Sequence, residues 1–420
     1  MRILVIGGGG REHAICRALR RSPLVTALYC APGNGGIAEL ATCLPLAATD
    51  IAGLADAARH ERFDLTVVGP EAPLAAGIVD HFTAEKLPIF GPTRASAQLE
   101  ASKVATKTFL QRHGIPTARA AVATTYDDAI AHARSQPLPL VLKQDGLAAG
   151  KGVVIATQWP DVEATLQQWF RSADTQAILI EECLVGEELS CIAIASGSDY
   201  VLLAPAQDHK RLGDGDTGPN TGGMGAYSPV GLATPTLLER VRRCVIEPTL
   251  HGLIAEGRPF TGFLYAGLMI VDGNPYALEF NVRLGDPETQ AILPRLQTDL
   301  VPLLVAATEA RLGTPTLQWD RRSSVCVVMA AAGYPSDVRT GDIIHGLDTP
   351  QSADVTVFHA GTERRGDTYR TGGGRVLGVT ALGHDLAAAR RSAYAAIQHI
   401  TWNGMQYRRD IGAARANTLT

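Results

Sequence analysis

The sequence predicts a three-domain protein of mixed α/β and α+β class. Its 420 residues are enough for about three domains of ordinary size. Short apolar segments alternate with longer amphipathic ones over the first hundred residues, which is typical of a parallel sheet with helical crossovers. Farther along, glycine-rich turns separate apolar segments, which indicates antiparallel hairpins. We expect an N-terminal α/β domain at 1–101, a central domain at 102–320 with a lid subdomain at about 120–190, and a small C-terminal α/β domain at 321–420.

Composition and charge exclude several classes of protein. Hydrophobic residues make up 46% and charged residues 19% of the chain, as in ordinary globular proteins. The formal net charge is −4 and no basic cluster is present, so we expect neither a nucleic-acid nor a membrane partner. No apolar segment approaches the roughly 20 residues that span a bilayer. The apolar segment Ile3–Ile6 is too short for a signal peptide, and we expect a cytoplasmic protein.

The seven cysteines are scattered along the chain, and no pair has the C-x-x-C spacing. That spacing is common in zinc sites and redox motifs. We therefore expect reduced, mostly buried thiols with no role in a disulfide framework.

The first hundred residues predict four strands and three helices. The predicted strands are 2–6, 25–30, 64–68 and 87–90, and the predicted helices are Glu12–Arg21, Ile51–His60 and Leu74–Glu85. Glycine or proline follows each strand, in GGGGRE, APGNGG, GPEAP and GPT. In open α/β sheets, ligands bind beyond the carboxyl ends of the strands. These loops therefore form one candidate binding rim.

The first glycine-rich loop, IGGGGREH at 6–13, does not fit the dinucleotide-binding fingerprint. That fingerprint is G-x-G-x-x-G/A, with a carboxylate about 20 residues farther on. Counting from Gly7 puts Glu12 at the last position, counting from Gly8 puts His13 there, and the second strand ends without an acidic residue. The loop still allows close approach of a ligand, and the helix that follows it favours an anion. A tight strand–helix turn with no ligand is the alternative.

A second glycine-rich segment, KQDGLAAGKGVVI at 143–155, is not a P-loop. The P-loop motif is G-x-x-x-x-G-K-[ST] and lies between a strand and a helix. Here only three residues separate Gly146 from Gly150, and Gly152 occupies the Ser/Thr position. The segment also lies between two predicted strands, PLPLVLK and VVIA.

A hairpin lid that covers phosphates fits this second segment better. Its backbone amides and Lys151 could cover a triphosphate, and Lys143 would project from the strand beside it. A solvated hairpin turn is the alternative.

Four further segments of the central domain predict structure or function. SKVATKTFLQRHG at 102–114 predicts a helix that Gly114 ends, and Asp161–Arg171 predicts another. IEECLVGEELS at 180–190 joins two predicted strands. Backbone groups of such a connection can hydrogen-bond to the edge of an adenine base, and a carboxylate can bind ribose hydroxyls. A charged turn without a ligand is the alternative. The polar stretch at 207–229 has so many glycines that we expect it to lack regular structure and to serve function.

LEFNVRLGDPETQ at 278–290 follows a predicted hairpin turned at Asp272-Gly273-Asn274. Strand side chains alternate between faces. This predicts one face with Glu279, Asn281 and Arg283 and another with Leu278, Phe280 and Val282.

The first of these faces suits a metal and a reacting anion. A carboxylate beside an amide oxygen suits Mg²⁺, which takes few protein ligands plus waters and phosphates. Arg283 could neutralise developing charge. A solvent-facing, salt-bridged strand face is the alternative. Asp286 and Glu288 are expected in the loop that follows.

Taken together, these segments resemble the ATP-grasp superfamily. The order of a helix lysine, a strand lysine with its glycine loop, a hinge with a glutamate, and an E-x-N strand is similar to that fold. Within the superfamily the chain resembles the phosphoribosylamine–glycine ligase family, also called glycinamide ribonucleotide synthetases, over nearly its whole length. IGGGGREHA, APGN, VGPEAPL, KQDGLAAGKGV and EFNVRLGDPETQ match the family pattern, and QDHKR and DTGPNTGGMGAYSP are the most specific segments.

The resemblance implies a fold, a reaction and its ligands. The fold has an N-terminal parallel-sheet (pre-ATP-grasp) domain, an ATP-grasp domain with a glycine-rich lid hairpin, and a small C-terminal domain. The reaction joins glycine to 5-phosphoribosylamine at the expense of ATP, through a glycyl phosphate, in purine synthesis. The cofactors implied are ATP and Mg²⁺, with Mn²⁺ as the alternative ion. We expect a monomer or a small homo-oligomer.

The resemblance also implies site residues. Arg283 and Lys143 are the catalytic candidates, and Glu279 and Asn281 are the metal ligands. The nucleotide-binding candidates are Lys103, Lys143, Gly146, Gly150, Lys151, Gly152, Val153, Glu181, Glu182, Leu184 and Glu188. The substrate-binding candidates are Gly8, Gly9, Gly10, Gly69, Pro70, Glu71, Asp208, Arg283, Asp286 and Glu288.

The chain departs from the family pattern at several positions, and alternative functions remain open. Gly8 stands where many relatives carry asparagine, Gln144 where alanine is usual, and Val282 where cysteine is usual. FLYAGLMI, the strand before the E-x-N strand, lacks the carboxylate that many ATP-grasp enzymes have there. The alternatives are another ATP-grasp carboxylate–amine ligase or carboxylase, and a non-catalytic nucleotide-binding regulator.

Overall fold

The N-terminal domain contains a five-stranded parallel sheet in the order β3-β2-β1-β4-β5. The computed structural model describes residues 1–147, 152–172, 175 and 177–413. The strands are β1 Arg2–Gly7, β2 Ala27–Pro32, β3 Thr42–Cys43, β4 Leu65–Val68 and β5 Ile89–Phe90; the helices are α1 Gly10–Arg20, α2 Ile51–Glu61, α3 Glu71–Ala76 and α4 Ile78–Ala84. The sheet order places the loops after β1 and β4 side by side at one edge.

One predicted helix of this domain is in fact two. The sequence predicts a single helix at Leu74–Glu85, but α3 ends and α4 begins at Gly77. Gly77 has φ +91°, a left-handed conformation that glycine adopts readily and that stops a right-handed helix. The break lets α3 start at Glu71, directly after the loop that follows β4.

The lid subdomain is a four-stranded antiparallel sheet in the order β6-β9-β7-β8, with two helices. Helices α5 Gln98–Ala101 and α6 Lys103–Arg112 lead into it. Its elements are β6 Ala120–Ala123, α7 Tyr126–Arg134, β7 Leu140–Gln144, β8 Val153–Ala156, α8 Trp159–Phe170 and β9 Ile178–Glu182. The strands β7 and β8 flank the glycine–lysine segment and pair with each other, as a hairpin requires.

The second half of the central domain is built on a sheet in the order β11-β10-β16-β17. Its elements are β10 Glu187–Ser196, β11 Asp199–Leu202, α9 Pro235–Val241, α10 Glu247–Ala255, β16 Thr261–Val271, β17 Asn274–Asn281, α11 Glu288–Ile292 and α12 Leu300–Thr308, with a π-helical turn at Arg242–Ile246 between α9 and α10. The turn between β16 and β17 is the predicted one, with φ +49° at Asp272 and +71° at Gly273.

A β-bulge at Leu278 corrects the predicted alternation of β17. Gly267 of β16 faces Glu279, and Leu268 faces Ala277, so Leu278 is an extra residue without a direct partner. Leu278 is therefore only partly buried and is not on the buried face with Phe280 and Val282. The bulge therefore changes the alternation of side chains between the two faces of β17 just before the polar residues at its end.

The prediction that 207–229 lacks regular structure is wrong. The stretch forms four short strands, β12 Gln207–Asp208, β13 Arg211–Gly213, β14 Thr217–Asn220 and β15 Gly225–Ser228. Glycines with positive φ at 215, 218 and 223 supply the turns, while antiparallel partners satisfy the backbone of the residues between them.

The C-terminal domain shares a sheet with this stretch. Strands β12 and β15 extend a five-stranded sheet in the order β12-β15-β18-β23-β20, and a separate three-stranded sheet has the order β19-β22-β21. The elements are β18 Ser323–Ala330, β19 Ile343–Ile344, β20 Val355–His359, β21 Thr362–Arg365, β22 Thr368–Thr371, β23 Arg375–Gly383 and α13 Leu386–Ile397. The strand pairing of β15 with β18 ties the middle of the chain to its C-terminal domain.

All seven cysteines are free thiols, as expected. In the part of the chain that the structure describes, no helix is both long enough and apolar enough to span a membrane.

Candidate active site

A cleft of about 160 Å³ lies between the lid subdomain, helix α6 and strand β17. Ten of the predicted site residues line it: Glu71, Lys103, Lys143, Gly146, Gly152, Val153, Glu181, Glu279, Asn281 and Arg283. The bulged Leu278 lines it as well, together with residues that sequence reasoning did not select: Leu99, Glu100, Thr106, Lys107, Leu110, Leu147 and Phe280. The cleft thus combines apolar walls with three lysines and an arginine.

Two lysines share one buried carboxylate in this cleft. Glu181, at the end of β9, receives Lys107 Nζ at 2.9 Å on Oε1 and Lys143 Nζ at 2.7 Å on Oε2. The Lys143 ammonium also donates to the Leu278 carbonyl at 3.1 Å, which links the lid to the bulge of β17. Two positive charges on one carboxylate leave a net positive charge, which favours an anionic ligand.

Lys103 stands at the start of α6, where Ser102 caps the helix by accepting from Ala105 N. Its Nζ donates to the carbonyl of Gly146 at 2.6 Å. Burial lowers the pKa of Lys103, although Glu279 and Asp145 oppose that effect. The contact joins the helix lysine to the first glycine of the lid loop.

The predicted metal ligands lie together at the end of β17. The Glu279 side chain is 45% exposed and lies 3.7 Å from Lys210 Nζ. Lys210, and then Lys143, lower the pKa of Glu279, so its carboxylate is ionised at neutral pH. Asn281 Oδ1 accepts from Arg283 Nη2 at 3.1 Å.

These two oxygen donors fit Mg²⁺ rather than a softer ion. Among the described residues, no group of three or more His, Cys, Asp or Glu side chains is arranged to hold a metal. A site with one carboxylate and one amide suits a hard cation that keeps waters and phosphate oxygens as ligands.

Arg283 is held by two carboxylates from the first hundred residues. Its Nη2 lies 2.9 Å from Glu100 Oε1, and its Nε lies 3.3 Å from Glu71 Oε2. Glu100 also accepts from the backbone N–H of Val282 at 2.8 Å. The guanidinium is thus fixed beside the metal candidates at the border of the N-terminal domain.

A second polar cluster adjoins the cleft through Lys210. The Lys210 ammonium is 2.9 Å from Glu188 Oε2 and 3.7 Å from Glu279 Oε1, so it bridges the two clusters. Asp208, two residues before it on β12, is buried. Burial, with help from the carboxylates of Glu288 and Glu188, raises the pKa of Asp208 to about 8 despite Lys210.

Glu288 and Asp286 complete this second cluster, but only Asp286 lies in a loop as expected. Glu288 begins α11, and its buried carboxylate accepts from Tyr265 OH at 2.8 Å and from Ser190 Oγ at 3.2 Å. Asp286 pairs with Arg375 of the C-terminal domain at 3.1 Å. Burial would raise the pKa of Asp286, but Arg375 holds it below the usual range.

The glycine loop after β1 packs around a buried carboxylate of its own. Glu12, on α1, accepts from the N–H of Gly9 at 2.6 Å. A Cβ on Gly69 would lie 2.1 Å from Glu12 Oε1, and one on Gly7 would lie 3.0 Å from Pro70. Close packing therefore accounts for part of the glycine content here.

The same glycine loop also adjoins the second polar cluster. A Cβ on Gly9 would lie 3.6 Å from Asp286 Oδ2, and one on Gly10 would lie 2.5 Å from Gln290 Nε2. The Gly8 carbonyl accepts from Asn34 Nδ2 at 2.9 Å, which closes the neighbouring loop over it.

Three of the nucleotide-binding candidates that the structure describes, Glu182, Leu184 and Glu188, do not line the cleft. Glu182 alternates to the other face of β9 and pairs with Arg119 at 2.7 Å. Leu184 lies in the connection between β9 and β10, partly exposed. Gly150 and Lys151 lie outside the described residues.

Comparison with known proteins identifies the family. The phosphoribosylglycinamide synthetase N domain matches residues 1–100, the ATP-grasp (A) domain matches 101–289, and the C domain matches 324–414. The chain belongs to the phosphoribosylglycinamide synthetase family. It is 52% identical over 420 residues to a phosphoribosylamine–glycine ligase of Allochromatium vinosum and 51% identical over 421 residues to that of Escherichia coli strain K12, with 98% of each chain covered in both cases.

Solved structures agree with this assignment to the phosphoribosylglycinamide synthetase family. The crystal structure of phosphoribosylamine–glycine ligase from Thermotoga maritima has a TM-score of 0.85 at 34% identity and covers 98% of this chain and 100% of that one. The biotin carboxylase domain of 2-oxoglutarate carboxylase from Hydrogenobacter thermophilus has a TM-score of 0.75 at 14% identity and covers 97% of this chain and 91% of that one, which shows a shared fold only. The predicted fold class, with its parallel-sheet, ATP-grasp and C-terminal domains, is confirmed.

Several residues of the cleft and of the second polar cluster were not predicted from the sequence, although some left a signal. Lys107 follows Lys103 by four residues on one helix, so the two share a face. Lys210 is two residues from Asp208 in QDHKR. Glu100, Tyr265 and Arg375 gave no local signal, because their partners lie far away along the chain.

Proposed function

We propose that this chain is an ATP-dependent carbon–nitrogen ligase that joins glycine to 5-phosphoribosylamine, giving glycinamide ribonucleotide, ADP and phosphate. The observation that carries the proposal is the junction of two clusters. A cationic, partly apolar cleft meets a carboxylate-rich cluster at Lys210, 2.9 Å from Glu188 and 3.7 Å from Glu279. A nucleotide triphosphate suits the first cluster and an amine suits the second. Identity of 52% and 51% over 98% of the chain to ligases of this name supports these substrates.

The chemistry explains why the two clusters must meet. A glycine carboxylate does not react with an amine, because it lacks a leaving group. Transfer of the γ-phosphoryl group of ATP to a carboxylate oxygen gives glycyl phosphate and ADP. The amine of phosphoribosylamine then attacks the carbonyl carbon, the C–O bond to phosphate breaks, and the nitrogen loses a proton. Carboxylate and triphosphate repel each other, so cations must surround the point of transfer.

We assign the cations of the cleft to the phosphates. Lys143 and Lys103 line the cleft, and each is fixed by a carbonyl or carboxylate contact. A positive group that is already fixed loses little entropy when the phosphate arrives. Lys151 is proposed to join them from the lid loop.

The metal that we propose is Mg²⁺, with Mn²⁺ as the alternative, held by Glu279 and Asn281. When bound, it would bring phosphate oxygens close to the carboxylate and offset their charge. The exposed, ionised carboxylate of Glu279 supports this role. The contact between Arg283 and Asn281 orients the amide oxygen, as second-layer partners do for metal ligands.

Arg283 is proposed to steady the glycine carboxylate and then the tetrahedral intermediate. Its anchoring by Glu71 and Glu100 supports a preorganised guanidinium. Removal of Arg283 would leave Glu71 and Glu100 without their main cation. Because these two carboxylates belong to the N-terminal domain, Arg283 also connects that domain to the central one.

The acceptor side is proposed to lie at the second cluster. Ammonium and amine groups suit the carboxyl groups of Asp208, Asp286 and Glu288. The phosphoribosyl group is proposed to meet the loops at Gly8–Gly10 and Gly69–Glu71, where α1 begins at Gly10. A helix N-terminus offers free backbone N–H groups to an anion.

The adenine side is less constrained. We propose that the adenine side is formed by Leu184, in the connection between β9 and β10, with Glu181 near the end of β9 and Glu188 near the start of β10. For Glu182 the pairing with Arg119 favours a structural role instead.

Phosphate release from ATP tests the function. Release is expected to need glycine and 5-phosphoribosylamine together with a divalent ion, and mass spectrometry should find glycinamide ribonucleotide. Steady release with bicarbonate in place of glycine would point to a carboxylase. Binding of ATP without any substrate-dependent release would point to a nucleotide-binding regulator.

A further inference from the structure

Lys107 is buried at the wall of the nucleotide cleft, yet its ammonium already has a full set of acceptors. Its side chain is 5% exposed. Nζ contacts Glu181 Oε1 at 2.9 Å, Thr117 Oγ1 at 2.6 Å and the Ala118 carbonyl at 3.0 Å. The contacts with Thr117 and Ala118 are hydrogen bonds and the contact with Glu181 is an ion pair, so three oxygen atoms already surround the ammonium. Lys107 is therefore poorly suited to hold a phosphate directly.

The Lys143 ammonium has fewer contacts within the protein than the Lys107 ammonium. Its ammonium contacts Glu181 Oε2 at 2.7 Å and the Leu278 carbonyl at 3.1 Å. The first contact is an ion pair and the second is a hydrogen bond, so together they occupy at most two of its three N–H donors, and Lys143 lines the same cleft. One donor remains for a ligand.

The carboxylate of Glu181 is what connects the two lysines. It is 2% exposed, and each oxygen serves a different ammonium. With Lys107 absent, both oxygens would be free to chelate Lys143. A buried carboxylate without its second cation would draw the remaining one closer, because few other groups can compensate its charge.

We propose that Lys107 is a positioning residue for the nucleotide: by occupying one oxygen of Glu181 it keeps the Lys143 ammonium available to ATP. This inference rests on the proposed nucleotide site and adds to it the residue that sets the position of Lys143. Lys107 acts only through Glu181 and touches no reacting atom.

The test is a double-mutant cycle on the full chain. The variants are Lys107→Met, Glu181→Gln and the two combined, with binding of ATP–Mg²⁺ measured by calorimetry and KM for ATP and kcat measured by phosphate release. Lys107→Met is expected to raise Kd and KM for ATP about tenfold and to change kcat less than about threefold. In the Glu181→Gln background the same substitution should change Kd less than about twofold, since interacting residues are not additive.

Phe109→Leu is the matched control for stability. Phe109 is buried on the same helix and does not line the cleft. It should lower the melting temperature while leaving KM for ATP unchanged. Should Lys107→Met behave in the same way, its role is structural and the proposal is wrong. An equal rise in Kd with and without the Glu181 charge would mean direct contact with the nucleotide, which also overturns it. Absence of ATP binding in the unaltered chain would instead refute the proposed function.

Discussion

Replacing Glu279 with glutamine should abolish most activity while hardly changing stability. Glutamine keeps the size of the side chain and one oxygen donor, and it removes the only full charge of the two proposed metal ligands. Mg²⁺ usually takes one or two protein carboxylates, so the ion would lose its main protein anchor. The two effects, on activity and on stability, can be measured separately.

The structure sets the expected change in stability. Glu279 lies 3.7 Å from the Lys210 ammonium. At an effective dielectric constant of about 20, that separation corresponds to a gross attraction of about 4.5 kcal/mol. The Glu279 side chain is 45% exposed, so solvent screens most of this attraction. Lys210 also keeps Glu188 at 2.9 Å, and the free energy of unfolding should change by less than about 1 kcal/mol.

The expected change in activity is much larger. A displacement of about 1 Å at a reacting centre can cost about a hundredfold in rate. We expect the phosphate-release rate of Glu279→Gln to fall at least that far. Assays over a range of Mg²⁺ concentrations distinguish the causes: partial recovery indicates lower occupancy, and no recovery indicates misplaced geometry.

Val282→Ala is the matched control. Val282 is 2% exposed, lies in the core and does not line the cleft, whereas Leu278 does line it and is unsuitable. Loss of two buried methyl groups should cost about 1.5–3 kcal/mol of stability, with activity per folded molecule retained. A Glu279→Gln protein that is less stable but fully active would refute the metal assignment and leave Glu279 as a structural ion-pair partner.

Three other predictions follow from glycine conformation and from titration. Gly146 has φ +91° and open space around it, so Gly146→Ala should strain only the backbone, by about 1–2 kcal/mol, and raise KM for ATP. Gly231 also lies in open space but lacks a positive φ, so Gly231→Ala should neither strain the backbone nor raise KM for ATP. The pKa of Asp208 is raised to about 8, so its contribution to stability is fully present below its unfolded pKa of about 4 and is lost as pH rises to about 8. The melting temperature of Asp208→Asn, relative to that of the unaltered chain, should therefore rise over this pH range. No rise would mean that Asp208 is ionised in the folded protein. Burial lowers the pKa of His13 to about 3, and its Nδ1 accepts from the backbone N–H of His359. The contribution of His13 to the free energy of unfolding is present above pH 6.5 and falls by about 1.4 kcal/mol per pH unit on acidification towards pH 3. His13→Asn should therefore show a shallower acid-induced fall in melting temperature, and an equal slope would refute the assignment.

Elements with a local signal could be predicted from the sequence. The turn at Asp272–Gly273 was predicted because Asp-Gly between two apolar segments is a strong hairpin signal, and both residues adopt positive φ. The polar face of β17 was predicted from alternation, and its three members line one cleft. The bulge at Leu278 was not, because it depends on the register with β16, which local alternation does not reveal.

Features that depend on distant partners escaped prediction. The stretch at 207–229 looked irregular because its glycines are numerous, yet β15 pairs with β18, about a hundred residues away along the chain. Arg375 was overlooked because its partner Asp286 belongs to another domain. The role of Lys107 depends on its contact with Glu181, and the sequence does not reveal that β9 lies against α6.

The most direct test of the central claim is a substrate-dependence experiment with the full chain, ATP and Mg²⁺. Phosphate release would be measured with glycine alone, with 5-phosphoribosylamine alone and with both, and the product would be identified by mass. Sustained release and formation of glycinamide ribonucleotide are expected only when both substrates are present. Equal release without 5-phosphoribosylamine, or a different product with both, would contradict it.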